Sequence, residues 1–169
     1  PHYKVHNYQR PSTDQAMQEM FSSVFPSELS SADIDGYEVS VFSPTFESVF
    51  LISHMVNHVY EEGLGLRQVI DYAMFLHHCA DKIDWMLHHE WLYRMRMERA
   101  WRIFTCICVD YLGLPLPLQV EPFSYNERKW AAALVEDIMR VGNFGRGEYV
   151  FKHQGVMDAW KNYCWVAKR

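Results

Sequence analysis

The sequence predicts a mainly α (α+β) fold: a helical domain built on an antiparallel helix hairpin, with a small two-stranded β element near the N-terminus. Three observations predict it. Apolar residues recur at helical spacing through most of the chain, above all from Ser43 to Lys82. A Gly63-Leu64-Gly65 turn splits that stretch into two segments, each apolar over most of its circumference with one narrow polar stripe. Strand-like patterns are confined to two short stretches before residue 43.

The bulk composition sets bounds. The chain has 169 residues, 49% of them hydrophobic and 15% aromatic, which is enough for one sizeable core. A net charge of −5 implies no strongly basic face, so binding of nucleic acid through phosphate contacts is not expected. Arg94, Arg96, Arg99 and Arg102 do cluster, but apolar residues and Glu98 separate them, which suits a solvated helix face. No run of about 18 apolar residues offers a membrane span. Cys79, Cys106, Cys108 and Cys164 match no zinc or redox spacing and sit in apolar runs. They read as buried thiols of a soluble, cytoplasmic protein. The chain opens on PHYKVHNYQRP without an initiator Met, so a preceding segment is expected.

Taken in order, Tyr3 to Tyr8 alternates like a short strand, and Pro11 ends it. Ser12 or Thr13 caps a helix from about Asp14 to Phe25, with Ala16, Met17, Met20, Phe21 and Val24 at helical period. Residues 26 to 36 are rich in Ser and Asp and read as a loop. Asp33 and Asp35 could chelate a metal if they lay on a strand, but Asp35-Gly36 is a strong turn signal, and the turn is the preferred reading. A strand from Tyr37 to Phe42 follows.

Ser43-Pro44 is a capping residue with proline at the first helical position, and it opens a helix to about Glu62. At about 100° per residue, Glu47, His54, His58 and Glu61 fall within about 40° of one line. After the Gly63–Gly65 turn a helix runs from Leu66 to about Ala80, with Arg67, Asp71, His78 and Asp81 on one stripe. So short a connection makes the two helices antiparallel neighbours. Level pairing places Glu61 near Arg67, and His58 near Asp71. Asp84 caps a helix through Met95, and another runs from Glu98 to Leu112. Leu114 to Pro122 is an extended, proline-rich linker. Ser124 and Glu127 form a capping box for a helix to Val141. Residues 143 to 148 (NFGRGE) read as a helix stop and compact turn rather than a phosphate cradle, lacking the Lys-Ser/Thr of a P-loop. A last helix is expected from Val156 to Ala167.

The polar stripes hold the candidate chemistry. His54 and His58, four residues apart, place two imidazoles on one helix face, as a helical zinc site needs. Met55 stands where a metalloprotease motif has Glu, and no metal is assigned on this spacing. The preferred reading is a half-buried pair bonded to neighbouring carboxylates. Arg67 and Asp71 are an i, i+4 pair, either an ordinary ion pair or an arginine held rigid to bind a phosphate or carboxylate; their apolar surroundings argue against an exposed pair. The tandem pairs His77-His78 and His88-His89 diverge on a helix and cannot chelate, and His88 and His89 are expected on a solvated face. No nucleophile motif is present.

The segment Gly63-Leu-Gly-Leu-Arg67-Gln-Val-Ile-Asp71-Tyr, with His54 and His58 before it, resembles the uncharacterised nucleotidyltransferase family of bacteria, common in Bacteroidetes. Ile83-Asp84-Trp85 and Gly142-Asn-Phe-Gly145 resemble its downstream landmarks, and Tyr3 to Pro11 with His6 resembles a strand of the family that usually reads Glu-Leu-His. The resemblance implies transfer of a nucleoside monophosphate from a nucleoside triphosphate by two divalent metals on three carboxylates. Two of those acids normally follow a Gly-Ser turn, and this chain has no Gly-Ser. The third would align near Lys4. The resemblance therefore implies the post-catalytic part of such a protein: residues 1–42 as a remnant of the α/β part and 43–169 as a helical domain. Arg67, Asp71, His54, His58, Glu61 and His6 would line its nucleotide or acceptor cleft. Mg²⁺ and a nucleoside triphosphate are implied only with the catalytic part present. The alternatives are a non-catalytic helical binding module and a metal-dependent hydrolase centred on His54, His58 and Asp71.

Overall fold

In the computed structural model, which describes residues 11–24, 29–61 and 63–141, Pro11 is the first residue of α1 (Pro11–Val24). Proline suits that position, since its missing N–H would have no helical acceptor there. The helix therefore begins three residues before the expected Asp14. It buries Thr13, Ala16, Met17, Met20 and Val24 and lies against α4 (Trp85–Met95). Thr13 Oγ1 donates to the Met95 carbonyl oxygen at 3.2 Å, fixing that contact.

A two-stranded antiparallel sheet follows, β1 (Ser30–Ile34) and β2 (Tyr37–Val41), with Ile34 opposite Tyr37. Residues 30–34 are thus a strand, not part of the expected loop. Asp35 (φ 54°) and Gly36 (φ 83°) both take left-handed backbone, as a two-residue hairpin turn requires. The Gly36 N–H donates to Asp33 Oδ1 at 3.0 Å. The hairpin is exposed on both faces. It has no buried side, so no apolar alternation marks β1 in the sequence.

The central hairpin is α2 (Pro44–Glu61) and α3 (Leu66–Cys79), followed by a 3-10 turn at Ala80–Lys82. Ser43 Oγ accepts from the Phe46 N–H at 3.3 Å, as expected of the cap. Gly63 (φ 90°) donates its N–H to the His58 carbonyl oxygen at 2.7 Å and ends α2. Residues of late α2 and early α3 line one pocket, the pairing of antiparallel neighbours. Asp84 caps α4 with Oδ1, which accepts from the N–H groups of Met86 (3.1 Å) and Leu87 (3.0 Å). Thr45 Oγ1 accepts from the Asp84 N–H at 2.9 Å, tying this cap to the first turn of α2.

α5 (Glu98–Asp110) is the centre of the core: Ala100, Trp101 and every residue from Ile103 to Cys108 are buried. It packs on α2, α3, α4 and α6 (Tyr125–Val141). The Tyr72 hydroxyl of α3 lies 3.4 Å from Thr105 Oγ1 of α5. The capping box forms: Ser124 N–H donates to Glu127 Oε2 at 2.6 Å, and Glu127 N–H to Ser124 Oγ at 3.3 Å. The buried residues of α1 belong to the same apolar cluster as those of α2 to α6.

Two positions expected on a solvated face are not there. His88 is fully buried, not solvated, because Trp85, His88, Leu92 and Met95 form the inward stripe of α4. Arg102 is not on a solvated face but bonds Glu127 and the linker carbonyls of Glu121 and Pro122. The strand at Tyr3–Tyr8, His6, the glycine-rich loop, Cys164 and the last helix lie outside the described residues, as does the side chain of Glu61.

Candidate functional site

The two polar stripes of the helical hairpin meet in an open pocket of about 310 Å³. Leu51, His54, Met55 and His58 come from α2, and Arg67, Gln68 and Asp71 from α3. Both helices bury an apolar face, α2 through Val49, Ile52, Met55, Val56 and Val59, and α3 through Val69, Tyr72, Ala73 and Leu76, while Ile70 and Met74 of α3 stay exposed. Packing of those faces leaves the polar stripes side by side at the hairpin's surface. Four of the residues singled out in the sequence, His54, His58, Arg67 and Asp71, are thereby brought together.

His54 is positioned by an aromatic row along α2. Phe42 stacks on Phe46 (centroids 4.3 Å), Phe46 on Phe50 (6.4 Å) and Phe50 on the His54 ring (6.3 Å, planes 8° apart). The row follows the i, i+4 spacing of one helix face. His54 then meets His58 edge to face, with ring planes at 85° and centroids 4.5 Å apart. Their Nε2 atoms are 3.1 Å apart. Both rings are half-buried. The expected half-buried pair is present, and its two rings are in direct contact with each other.

Arg67 and Asp71 form the i, i+4 pair, with Nε 3.8 Å from Oδ2. The pair is exposed, at 75% and 61% of the side chains, against the expectation from its apolar surroundings. Val69, Tyr72, Ala73 and Leu76 are the buried face of α3, which packs on α2 and α5, and the pair looks outward. Between them Gln68 reaches inward, and its Oε1 is buried with no hydrogen-bond donor among the described residues. The pocket thus collects one guanidinium, one amide, two imidazoles and one carboxylate. That set suits an anionic ligand with several oxygens, the carboxylate orienting the arginine.

Of the cysteines expected as buried thiols, Cys106 and Cys108 are buried, while Cys79 is only half-buried because it sits at the end of α3. Burial pushes the thiol of Cys106 up to about 12, with the Asp110 carboxylate adding to the effect. Burial likewise raises Cys108 to about 12. Neither thiol supplies a nucleophile at neutral pH. His77 and His78 are exposed neighbours. Asp33 and Asp35 sit at the tip of the exposed hairpin, where the Asp33 carboxylate caps the turn, in keeping with the turn reading. Sequence reasoning missed Gln68, which sits one residue from Arg67 and breaks the apolar run without joining the stripe. No described helix is long and apolar enough to cross a membrane.

A sequence model for a family described as uncharacterised nucleotidyltransferase matches residues 2–113, which takes in both helices of the pocket. No curated protein and no solved structure matches the chain.

Proposed function

The chain belongs to the uncharacterised nucleotidyltransferase family, and from that premise we propose that its helical part walls the cleft in which a nucleotide meets its acceptor. The observation that carries this reading is the pocket between α2 and α3, with Arg67, Gln68, His54, His58 and Asp71 around it. The exposed guanidinium of Arg67 meets phosphate oxygens, and Asp71, one turn along, holds it in place. His54, His58 and Gln68 offer further hydrogen-bonding groups for phosphate or acceptor oxygens. Glu61 and His6 complete the cleft in this proposal.

Nucleotidyl transfer by the two-metal route needs clustered carboxylates for Mg²⁺. Among the described residues, no group of three or more His, Cys, Asp and Glu side chains is arranged to hold a metal. The described residues therefore do not fit that centre. In this reading the catalytic carboxylates and the Mg²⁺ they would hold lie outside residues 11–141, and the helical part, which offers Arg67 to the nucleotide's phosphates, does not transfer a nucleotide alone. A bacterial, cytoplasmic setting, and the division of origin between residues 1–42 and 43–169, are parts of the same proposal.

The test is titration of the purified chain with nucleoside triphosphates, with and without Mg²⁺, beside its Arg67→Ala variant. The expected result is binding by the chain and loss of about tenfold or more in the variant, on the scale of a charge-assisted bidentate contact. Equal affinity of the two proteins, or no binding by either, overturns the proposal.

A further inference from the structure

We propose that His54 and His58 chelate a divalent transition-metal ion through the Nε2 atom of each ring, inside the α2–α3 pocket. The proposal stands on the geometry of the pair and does not depend on the nucleotide reading.

The two Nε2 atoms are 3.1 Å apart. Two bonds of about 2.0–2.1 Å to one ion span about 3.3 Å at a tetrahedral angle and about 2.9 Å at a right angle. The observed separation lies between the two, so the distance fits a shared ion, with each ring turned to aim its Nε2 at the ion rather than at the other ring. The rings are also held in advance. His54 continues the aromatic row from Phe50, and His58 abuts it at 85°. Both are half-buried on a helix whose other faces are packed. Fixing two ligands before the metal arrives lowers the ordering cost of binding.

The proton inventory is consistent with an exchange of proton for metal. At 3.1 Å a neutral pair makes one Nε2–H···Nε2 hydrogen bond, so one ring carries its proton on Nε2 and the other on Nδ1. Metal binding requires the donor ring to move its proton from Nε2 to Nδ1, by way of solvent. Once both rings turn so that their Nε2 lone pairs converge on the ion, the neutral pair has released no net proton.

The chemical class of the ion follows from the donors. Imidazole nitrogen selects Zn²⁺, Ni²⁺, Co²⁺ or Cu²⁺, whereas Mg²⁺ and Ca²⁺ take oxygen ligands. No set of three described side chains holds a metal, so the remaining positions go to water or to oxygens of a bound molecule. Arg67 lines the same pocket, and its guanidinium is placed to pair with an anion held by the ion. The His77 and His78 rings also meet edge to face, against the divergence expected of neighbours on a helix, with centroids 4.9 Å apart at 72°; they lie outside this pocket and are the pair to control for.

Isothermal titration of the full chain with zinc chloride, followed in parallel by NMR of the assigned histidine side chains, tests the proposal. One equivalent is expected to bind, with Nε2 shifts confined to His54 and His58 among the nine histidines. His54→Ala and His58→Ala should each weaken binding by about tenfold or more, since even an outer partner of a metal site is worth that much. A His77→Ala/His78→Ala double variant should keep the affinity. No zinc uptake by the unmutated chain overturns the proposal, as do unchanged affinity in both single variants or shifts centred on other histidines. Should a variant fail to fold, the shifts in the unmutated chain decide.

Discussion

Arg102 grips Glu127 with two hydrogen bonds, Nε to Oε1 at 2.6 Å and Nη2 to Oε2 at 3.1 Å. Its other donors reach the carbonyl oxygens of Glu121 (2.8 Å) and Pro122 (3.0 Å), and the Phe123 ring lies 4.8 Å from the guanidinium carbon. One side chain of α5 thus fastens the linker and the N-terminus of α6. Burial by itself raises the Glu127 carboxyl, but the hydrogen bonds from Arg102 and Ser124 outweigh it and hold the group below the ordinary carboxylate value.

Both side chains of this pair are only 17% exposed, so breaking it strands a charge. Arg102→Ala should lower the unfolding free energy by about 2–4 kcal/mol. Arg102→Lys should restore little, because a lysine cannot reproduce the planar fork. Urea denaturation checks both, and a loss in Arg102→Ala smaller than about 0.5 kcal/mol, the scale of an exposed pair, would show that the fastening is unimportant.

His88 predicts an acid-labile fold. Its ring is fully buried beside Trp85 and Trp101, each with its centroid 5.2 Å away. Neither ring nitrogen has a partner among the described residues. Burial, and secondarily the neighbouring His89, lower its pKa from 6.5 to about 3. The folded chain keeps His88 neutral while the unfolded chain takes up a proton below pH 6.5. The contribution is therefore full above that value and lost as pH falls from 6.5 toward 3. Glu127 loses its contribution only in the carboxylate range, and Glu47, raised by burial, acts in the opposite sense. Comparison with a His88→Phe variant isolates the histidine, because Glu127 and Glu47 are common to both proteins. From pH 6.5 to about 5 the stability of the chain relative to that variant should fall by about 2 kcal/mol. Parallel pH profiles for the two proteins would refute the assignment.

Arg67→Ala should leave the fold almost untouched. The ion pair with Asp71 is long and exposed, so its removal should change stability by about 0.5 kcal/mol or less. Thermal unfolding reads this directly. A large loss would give Arg67 a structural role and weaken its place in the cleft.

Gly63→Ala should cost about 1–2 kcal/mol through backbone strain alone. Its φ is +90°, and a Cβ built there meets nothing within 4 Å. A cavity or clash therefore cannot contribute. Gly36→Ala, at +83° in the exposed hairpin, should show a smaller effect on global unfolding, since few buried contacts depend on that hairpin. Denaturation midpoints of the two variants make the comparison.

Local signals were legible in the chain because their physics is local. Ser43-Pro44, Asp84 and the Ser124/Glu127 box satisfy N–H groups within three residues of themselves, and all three caps form where the spacing places them. β1 left one usable trace: an Asp35-Gly36 turn with left-handed backbone at both residues implies a strand on each side. His88 also left one, the 3-4-3 spacing of Trp85, His88, Leu92 and Met95, which tandem histidines obscured.

For the site, residue spacing alone establishes which residues share a stripe and that a two-helix hairpin brings the stripes together. Helical period and a short turn suffice for that. How deep each stripe lies depends on three-dimensional packing. Arg67 and Asp71 came out exposed and His88 buried because burial depends on which faces α5 and the other helices cover. The same holds for the 3.1 Å approach of His54 and His58. Spacing places both rings on one face, but the stacking of Phe50 and the packing around α2 set their angle and their distance.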